Sequence, residues 1–286
     1  MQIVPRCFGC FIRQAESVCD VCGVTGRQRS LVLRSVCEVL SKAPLDVPPP
    51  VVSDDVYGCI RNELGIDDPY ADLKHEYNEQ ALAHYPACRE LIESSDQPLR
   101  TALQLAIVGN VVDFGCDTAF DLDASIGAVR ELPLSDRLVD TLDAALRKAS
   151  SLVYLTDNCG EIVFDRLALE LIIDRYGPKT IDVVVKGGPW INDVTADDVA
   201  SVGISSLPSV NIVEVSNGDE GTGMARHSSA FHDFIAGHEV CISKGQANWE
   251  LLSEKSNIFF FFMAKCPEIA SSCNAELGEP IAYLSK

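Results

Sequence analysis

Polar side chains follow the strand-like segments of this chain, and their types suit metal and phosphate chemistry. The residues that come directly after three such segments are Asp157, Asn158 and Glu161, then Lys186, Asn192 and Asp193, and then Lys244, Gln246 and Asn248. The carboxyl ends of parallel strands meet at one edge of a sheet, so we expect these side chains to converge although they are far apart in sequence.

Carboxylate and amide oxygens are the ligands that Mg²⁺ and Mn²⁺ prefer, and a cation held by few of them keeps positions open for substrate oxygens. Lys244, in the segment SKGQAN, adds a positive charge for a phosphoryl oxygen, and the helix that begins near Gly160 adds backbone N–H groups. An isolated Asp-Asn pair after a strand is more often a helix N-cap. The second Asn-Asp pair, in NDVT at 192–195, shifts the balance toward a metal-assisted phosphoryl site.

The two halves of the chain differ in the periodicity of their apolar residues. Up to about residue 145 the spacing is helical, as in 29–43, and a proline-rich hinge at 44–52 interrupts it. Past residue 150, short β-branched segments alternate with helical ones. This succession predicts an α/β fold in which a mostly parallel sheet is the middle of three layers. The glycine-rich segment 218–229 lacks the GK[ST] ending of a P-loop and predicts a flexible loop beside the pocket.

The composition restricts the partners of the chain. It has 286 residues, with 23 Lys and Arg against 42 Asp and Glu, and a net charge of -19. Such a chain repels nucleic acid and anionic membranes, and it accepts an anionic small molecule only where local cations or a metal overcome the overall field. The longest apolar run, at 258–264, is too short to cross a bilayer, and the first residues show no signal-peptide pattern. We therefore expect a cytoplasmic protein with reduced cysteines.

Two CxxC pairs stand near the amino terminus: Cys7 with Cys10, and Cys19 with Cys22. Their pattern is typical of a zinc site. On one continuous helix, however, the two pairs would lie roughly 18 Å apart along the axis, so a shared ion requires a turn between residues 14 and 18. A shared zinc site, two unrelated buried pairs and a redox switch remain as alternatives.

Several segments together resemble the damage-control phosphatases, a family of metal-dependent enzymes once catalogued as a domain of unknown function. They occur in family order along the whole chain and are DDPYADLKHEYNEQA, IVGNVVDFG, DNCGEIVFDRL, WINDVTADDV, SKGQANWE and AKCPEIA. The first CxxC is similar to that of the mainly prokaryotic branch. The resemblance implies a helical N-terminal region, over 1–145, packed on a Rossmann-like catalytic domain, over 146–286.

The resemblance also implies an activity, the hydrolysis of phosphomonoesters of small metabolites such as sugar phosphates or damaged phosphometabolites. It implies a divalent metal (Mg, Mn, Co or Ni) held by Asp157, Asn158 and Asp193, with Lys244 on the phosphate. The substrate-binding residues we predict are Asn110, Glu161, Lys244, Gln246 and Asn248. The nucleophile is either a water molecule positioned by a carboxylate such as Asp193 or Glu161, or an Asp carboxylate itself.

Two other functions compete with this reading. A metal or redox sensor would use the N-terminal cysteines and have no catalytic site. A methyltransferase would bind S-adenosylmethionine on a Rossmann-like sheet, but no GxGxG motif follows the first strand of the second half.

Overall fold

The computed structural model describes residues 1–109, 122–177, 179–217 and 221–286, with the backbone alone at 122, 123 and 125. Its helices are α1 (Pro5–Val21), α2 (Gly26–Leu40), α3 (Pro49–Leu64), α4 (Ala71–Glu93), α5 (Pro98–Gly109), α6 (Leu122–Gly127), α7 (Asp136–Lys148), α8 (Glu161–Tyr176), α9 (Ala196–Ser201), α10 (Ser229–Ala236), α11 (Gln246–Leu252) and α12 (Pro267–Ser272). Its strands are β1 (Ser151–Leu155), β2 (Thr180–Lys186), β3 (Val210–Ser216), β4 (Met224–Ala225), β5 (Val240–Lys244), β6 (Ile258–Met263) and β7 (Pro280–Leu284).

The strands form one sheet in the order β4-β3-β2-β1-β5-β6-β7. Neighbouring strands are parallel except for β7, which runs antiparallel to β6. The predicted α/β fold with a mostly parallel sheet is confirmed. The chain builds outward from β1 to β4 on one side and places β5 to β7 on the other. The order therefore reverses between β1 and β5, and such reversals open a crevice at the carboxyl ends of the strands.

Both faces of the sheet are covered by helices, and β1 shows how. Its side chains alternate, so that Leu152 and Tyr154 pack with α4, α5, α7 and α8, while Val153 and Leu155 pack with α10, α11 and α12. Helices of the N-terminal half thus form one of the three layers. The predicted boundary at 145 lies within α7 and stays a prediction.

A third hydrophobic cluster joins α1, α2 and α3 to a loop of the second half through Trp190. The predicted hinge at 44–52 runs into α3, which begins at Pro49, because proline fits the first turn of a helix, where no N–H partner is needed. The antiparallel edge strand β7 was not predicted. Among the described helices, none combines the length and the apolar character that a membrane span requires.

Candidate active site

The three predicted metal ligands meet at the carboxyl ends of β1 and β2. Asp157 and Asn158 follow β1, and the loop after β2 returns to them, since Asn158 and Asp193 form an isolated antiparallel bridge. The backbone N–H of Val194 donates to the carbonyl of Asp157 at 3.0 Å, and that of Cys159 donates to Asn192 at 2.8 Å. These bonds hold the two loops, and therefore the two Asp-Asn pairs, side by side.

The donor set suits a hard divalent cation. Asn158 Nδ2 donates to Asp157 Oδ2 at 2.7 Å. The amide oxygen of Asn158, Oδ1, is then left as its ligand atom. No group of three or more His, Cys, Asp or Glu side chains in the described ranges is arranged to hold a metal. The proposed set has two carboxylates and one amide, and such a small oxygen set keeps coordination positions open for substrate.

Gly245 packs directly against the Asp157 carboxylate. An added Cβ at this position would lie 2.0 Å from the Asp157 carboxyl carbon, and its φ of +82° is one that residues with side chains rarely adopt. Glycine is therefore required twice over in the segment SKGQAN, for its backbone conformation and for the space that the carboxylate occupies.

Lys244 lies in the interior, between two carboxylates of α8. Its Nζ donates to Glu161 Oε1, to Asp165 Oδ1 at 2.7 Å and to the carbonyl of Ala106 at 2.8 Å, and Tyr154 Oη donates to the same Asp165 oxygen at 2.6 Å. All three ammonium protons are thus used. A phosphate contact by Lys244, expected from the resemblance, would require the ammonium group to leave one of these partners.

The electrostatics of this cluster follow from its burial. Burial lowers the pKa of Lys244, but Asp165 and Glu161 outweigh that effect and raise it. Burial raises the pKa of Glu161 to about 7, against the opposing attraction of Lys244. The Oδ2 atom of Asp165 is buried without a hydrogen-bond partner among the described residues. The cluster therefore depends on the lysine for its charge balance.

The other predicted substrate-binding residues lie at the start of α11. Gln246 Nε2 donates to Glu250 Oε1, and its Oε1 accepts from the backbone N–H of Lys265, both at 2.9 Å. Asn248 Nδ2 donates to the carbonyls of Thr156 and Lys244. These bonds connect the ends of β1, β5 and β6, and contact with substrate stays a prediction for both residues. Asn110 lies outside the described residues.

A small cavity opens beside the predicted metal ligands, and the sequence analysis missed one of the charged residues that line it. Lys186, Thr156 and Asn248 line it together with Arg226. Arg226 Nη2 donates to both carboxylate oxygens of Asp54, at 2.6 and 2.7 Å. The predicted pocket-side loop at 218–229 contains Arg226, but nothing in the local pattern connects it to Asp54 in α3.

The loop that carries Asp193 is anchored in the N-terminal helices. The buried Trp190 ring lies 6.4 Å from the Tyr57 ring, with the Arg61 guanidinium 5.7 Å from its centre. The backbone N–H of Asp193 donates to the carbonyl of Trp190 at 2.8 Å. Between them, Ile191 has a φ of 45°, an unfavourable value for a β-branched residue. Anchor and strain together fix the position of Asp193.

The four N-terminal cysteines, one alternative for which was a shared zinc site, do not lie together in the structure. Cys7, Cys10 and Cys19 lie on the single helix α1 and Cys22 directly follows it, so the turn that a shared ion requires is absent from this described segment. The described cysteines are free thiols. Cys159, next to the predicted metal ligands, is buried, and burial raises its pKa, so it is a poor thiolate.

The chain is similar to several known proteins over its whole length. A protein from Archaeoglobus fulgidus named a damage-control phosphatase is 28% identical over 99% of both chains, and one of the same description from Pyrococcus horikoshii is 28% identical over 100% of this chain and 99% of its own. The crystal structure of a DUF89 family protein from Pyrococcus horikoshii superimposes with a TM-score of 0.83 at 26% identity and covers 100% of both chains. The family profile described as the damage-control phosphatase ARMT1-like domain matches residues 3–281. The chain therefore belongs to the damage-control phosphatase ARMT1-like domain family.

Proposed function

We propose that this chain is a divalent-metal-dependent phosphatase that hydrolyses phosphomonoesters of small metabolites, such as sugar phosphates or damaged phosphometabolites. Asp157, Asn158 and Asp193 hold Mg²⁺, Mn²⁺, Co²⁺ or Ni²⁺. The family membership and the names of the relatives support the phosphatase activity. The convergence of the three oxygen ligands at the carboxyl ends of β1 and β2, next to the reversal of strand order between β1 and β5, supports the metal site.

The observation that carries the proposal is the charge balance of the site. Among the described residues, the positively charged side chains in the site and directly beneath it are Lys186, Arg226 and Lys244. The carboxyl groups there are Asp54, Asp157, Glu161, Asp165, Asp193 and Glu250. Glu161 and Glu250 are only partly ionised at neutral pH, but the four Asp carboxylates alone outnumber the three cations, so the site repels a phosphate dianion. A divalent cation at Asp157 and Asp193 reverses this repulsion, which makes metal dependence a condition for binding substrate.

The residues divide the chemical work between them. When bound, the divalent ion supplies a Lewis acid that withdraws charge from the phosphoryl oxygens. The Lys186 ammonium lies 3.3 Å from Asp193 Oδ2, where it can stabilise charge on a phosphoryl oxygen beside that ligand. The full burial of Glu161 and its ion pair with Lys244 favour Asp193 over Glu161 as the group that orients an attacking water. Attack by an Asp carboxylate is the other route.

The test is phosphate release from sugar phosphates and an aryl phosphate by metal-stripped protein supplied with each of the four metals. We expect turnover to require metal, and to be abolished in Asp157→Ala and Asp193→Asn, with metal binding by calorimetry lost in parallel. The exposed Asp140 on α7 gives the control Asp140→Asn, which should keep full activity. Folded protein that releases no phosphate with any metal would refute the proposal and favour the cysteine-based sensor.

A further inference from the structure

A second group of buried polar side chains lies beside the proposed metal ligands, at the carboxyl ends of β2 and β3. Lys186 ends β2, Arg226 follows β4, and both line the cavity described above. Each of the two cations has one carboxylate partner, since the Lys186 ammonium lies 3.3 Å from Asp193 and Arg226 donates to Asp54.

The donors of Arg226 are only partly used. Its Nη2 makes the bonds to Asp54 and a bond of 3.3 Å to the carbonyl of Pro50, whereas its Nε and Nη1 donate to no residue in the described ranges. The guanidinium group is thus fixed in position by Asp54 and still has free N–H groups. A fixed guanidinium with unused donors is suited to carboxylate and phosphate oxygens.

Asn217 is an independent sign of a missing ligand. It directly follows β3, is 8% exposed, and neither polar atom of its side chain has a hydrogen-bond partner in the described part of the chain. Ser216 pairs with Ala225 in the register of β3 and β4, which places Asn217 beside Arg226. It also lies two residues past Val215, which lines the cavity, and therefore on the same face of the strand. A buried amide without partners costs about 1–3 kcal/mol, which a polar ligand would recover.

Once the metal is bound, the charges around the cavity favour the binding of an anion. Asp54 neutralises one of the two cations, and Asp157 and Asp193 are committed to the metal. Burial raises the pKa of Glu250, whose charge interacts with that of Arg226, to about 7, so this carboxyl group carries only part of a charge at neutral pH. Positive charge therefore remains between the metal ligands and Asn217.

We propose that Asn217 and Arg226 bind a second anionic group of the substrate, a carboxylate or a second phosphate, with Lys186 between that group and the phosphoryl group at the metal. The inference rests on the proposed function for the position of that phosphoryl group. It narrows the substrate class to small phosphomonoesters with two anionic groups.

Binding of non-hydrolysable analogues tests the inference separately from turnover. The methylenephosphonate analogues of 3-phosphoglycerate and of glycerol 3-phosphate have nearly the same shape, but only the first has a carboxylate. We expect metal-loaded protein to bind the carboxylate analogue about tenfold more tightly in calorimetry, as a hydrogen-bonded charge predicts. Asn217→Ala should remove this preference, and Arg226→Lys, which keeps a cation beside Asp54, should reduce it. The exposed Asn62 gives the control Asn62→Ala, which should retain it.

Each other outcome overturns the inference. Equal affinities for the two analogues, or a preference that survives in Asn217→Ala or stays undiminished in Arg226→Lys, would show that these residues form no second anion site. No binding of either analogue would refute the proposed function and this inference together. Phosphate release from glycerol 3-phosphate combined with equal analogue affinities would keep the proposed function and refute this inference alone. Circular dichroism establishes that each variant is folded.

Discussion

Replacing Lys244 with methionine removes the ammonium group that lies between Glu161 and Asp165. Both carboxylates have side chains that are 0% exposed, so the change leaves them side by side without the cation that bonds to them. Removing one partner of a buried ion pair destabilises a protein by about 3–5 kcal/mol. Tyr154 continues to donate to Asp165, but Glu161 loses its charged donor. We expect Lys244→Met to lower the free energy of unfolding by an amount within that range. This is a large part of the roughly 5–15 kcal/mol that stabilises a typical domain.

Urea denaturation followed by circular dichroism measures this loss. The exposed Lys148, at the end of α7, gives the control Lys148→Met, which should change the free energy of unfolding by less than about 0.5 kcal/mol. Adding Glu161→Gln and Asp165→Asn to Lys244→Met removes the uncompensated charges and should restore most of the stability. A Lys244→Met protein as stable as the wild type, but without phosphatase activity, would refute the reasoning. It would show that Lys244 serves the phosphate, as the family resemblance implies.

Three further changes test other parts of the structure. Gly245→Ala places a methyl group where the Asp157 carboxylate lies, so we expect the affinity for Mn²⁺, measured by calorimetry, to weaken at least about tenfold. The control Gly127→Ala adds a methyl group in open space and should bind Mn²⁺ with wild-type affinity. Unchanged Mn²⁺ affinity in Gly245→Ala would contradict the assigned position of Asp157. Burial raises the pKa of Glu250 from its ordinary value near 4.5 to about 7, so the wild type loses stability as pH rises between these values. Glu250→Gln should therefore be up to about 3 kcal/mol more stable than the wild type in urea denaturation at pH 8, and equally stable at pH 4.5. A difference in stability that does not change with pH would show that ionisation of the Glu250 carboxyl group is not its cause. Cys7→Ser should keep wild-type phosphate release, since α1 brings no second pair of thiols to it, and a loss of turnover in a folded variant would give the cysteines a catalytic role.

Local patterns in the sequence predict the sheet well and the ion pairs poorly. Alternating β-branched and helical segments after residue 150 indicate the parallel strands, and the residues after those strands do converge. Partners of buried charges are set by the tertiary fold instead: Lys244 meets Glu161 from 83 residues away, and Arg226 meets Asp54 from 172 residues away. No short-range pattern encodes such separations. The strand β7 was missed for a similar reason, because its pairing with β6 depends on a return of the chain.

The anchoring of Trp190 in the N-terminal helices links metal binding to the stability of a region that touches no metal. Asp193 keeps its position only while α3 holds Trp190 and Ile191 in place. By thermodynamic linkage, an ion that binds the ordered ligand set also stabilises the packing of α1, α2 and α3. Chelation should therefore increase amide hydrogen exchange in these helices as well as at the strand ends. If the proposed metal binds at Asp157, Asn158 and Asp193, hydrogen exchange in the helical half of the chain would report its occupancy, and partial unfolding there would release the ion before the sheet itself opens.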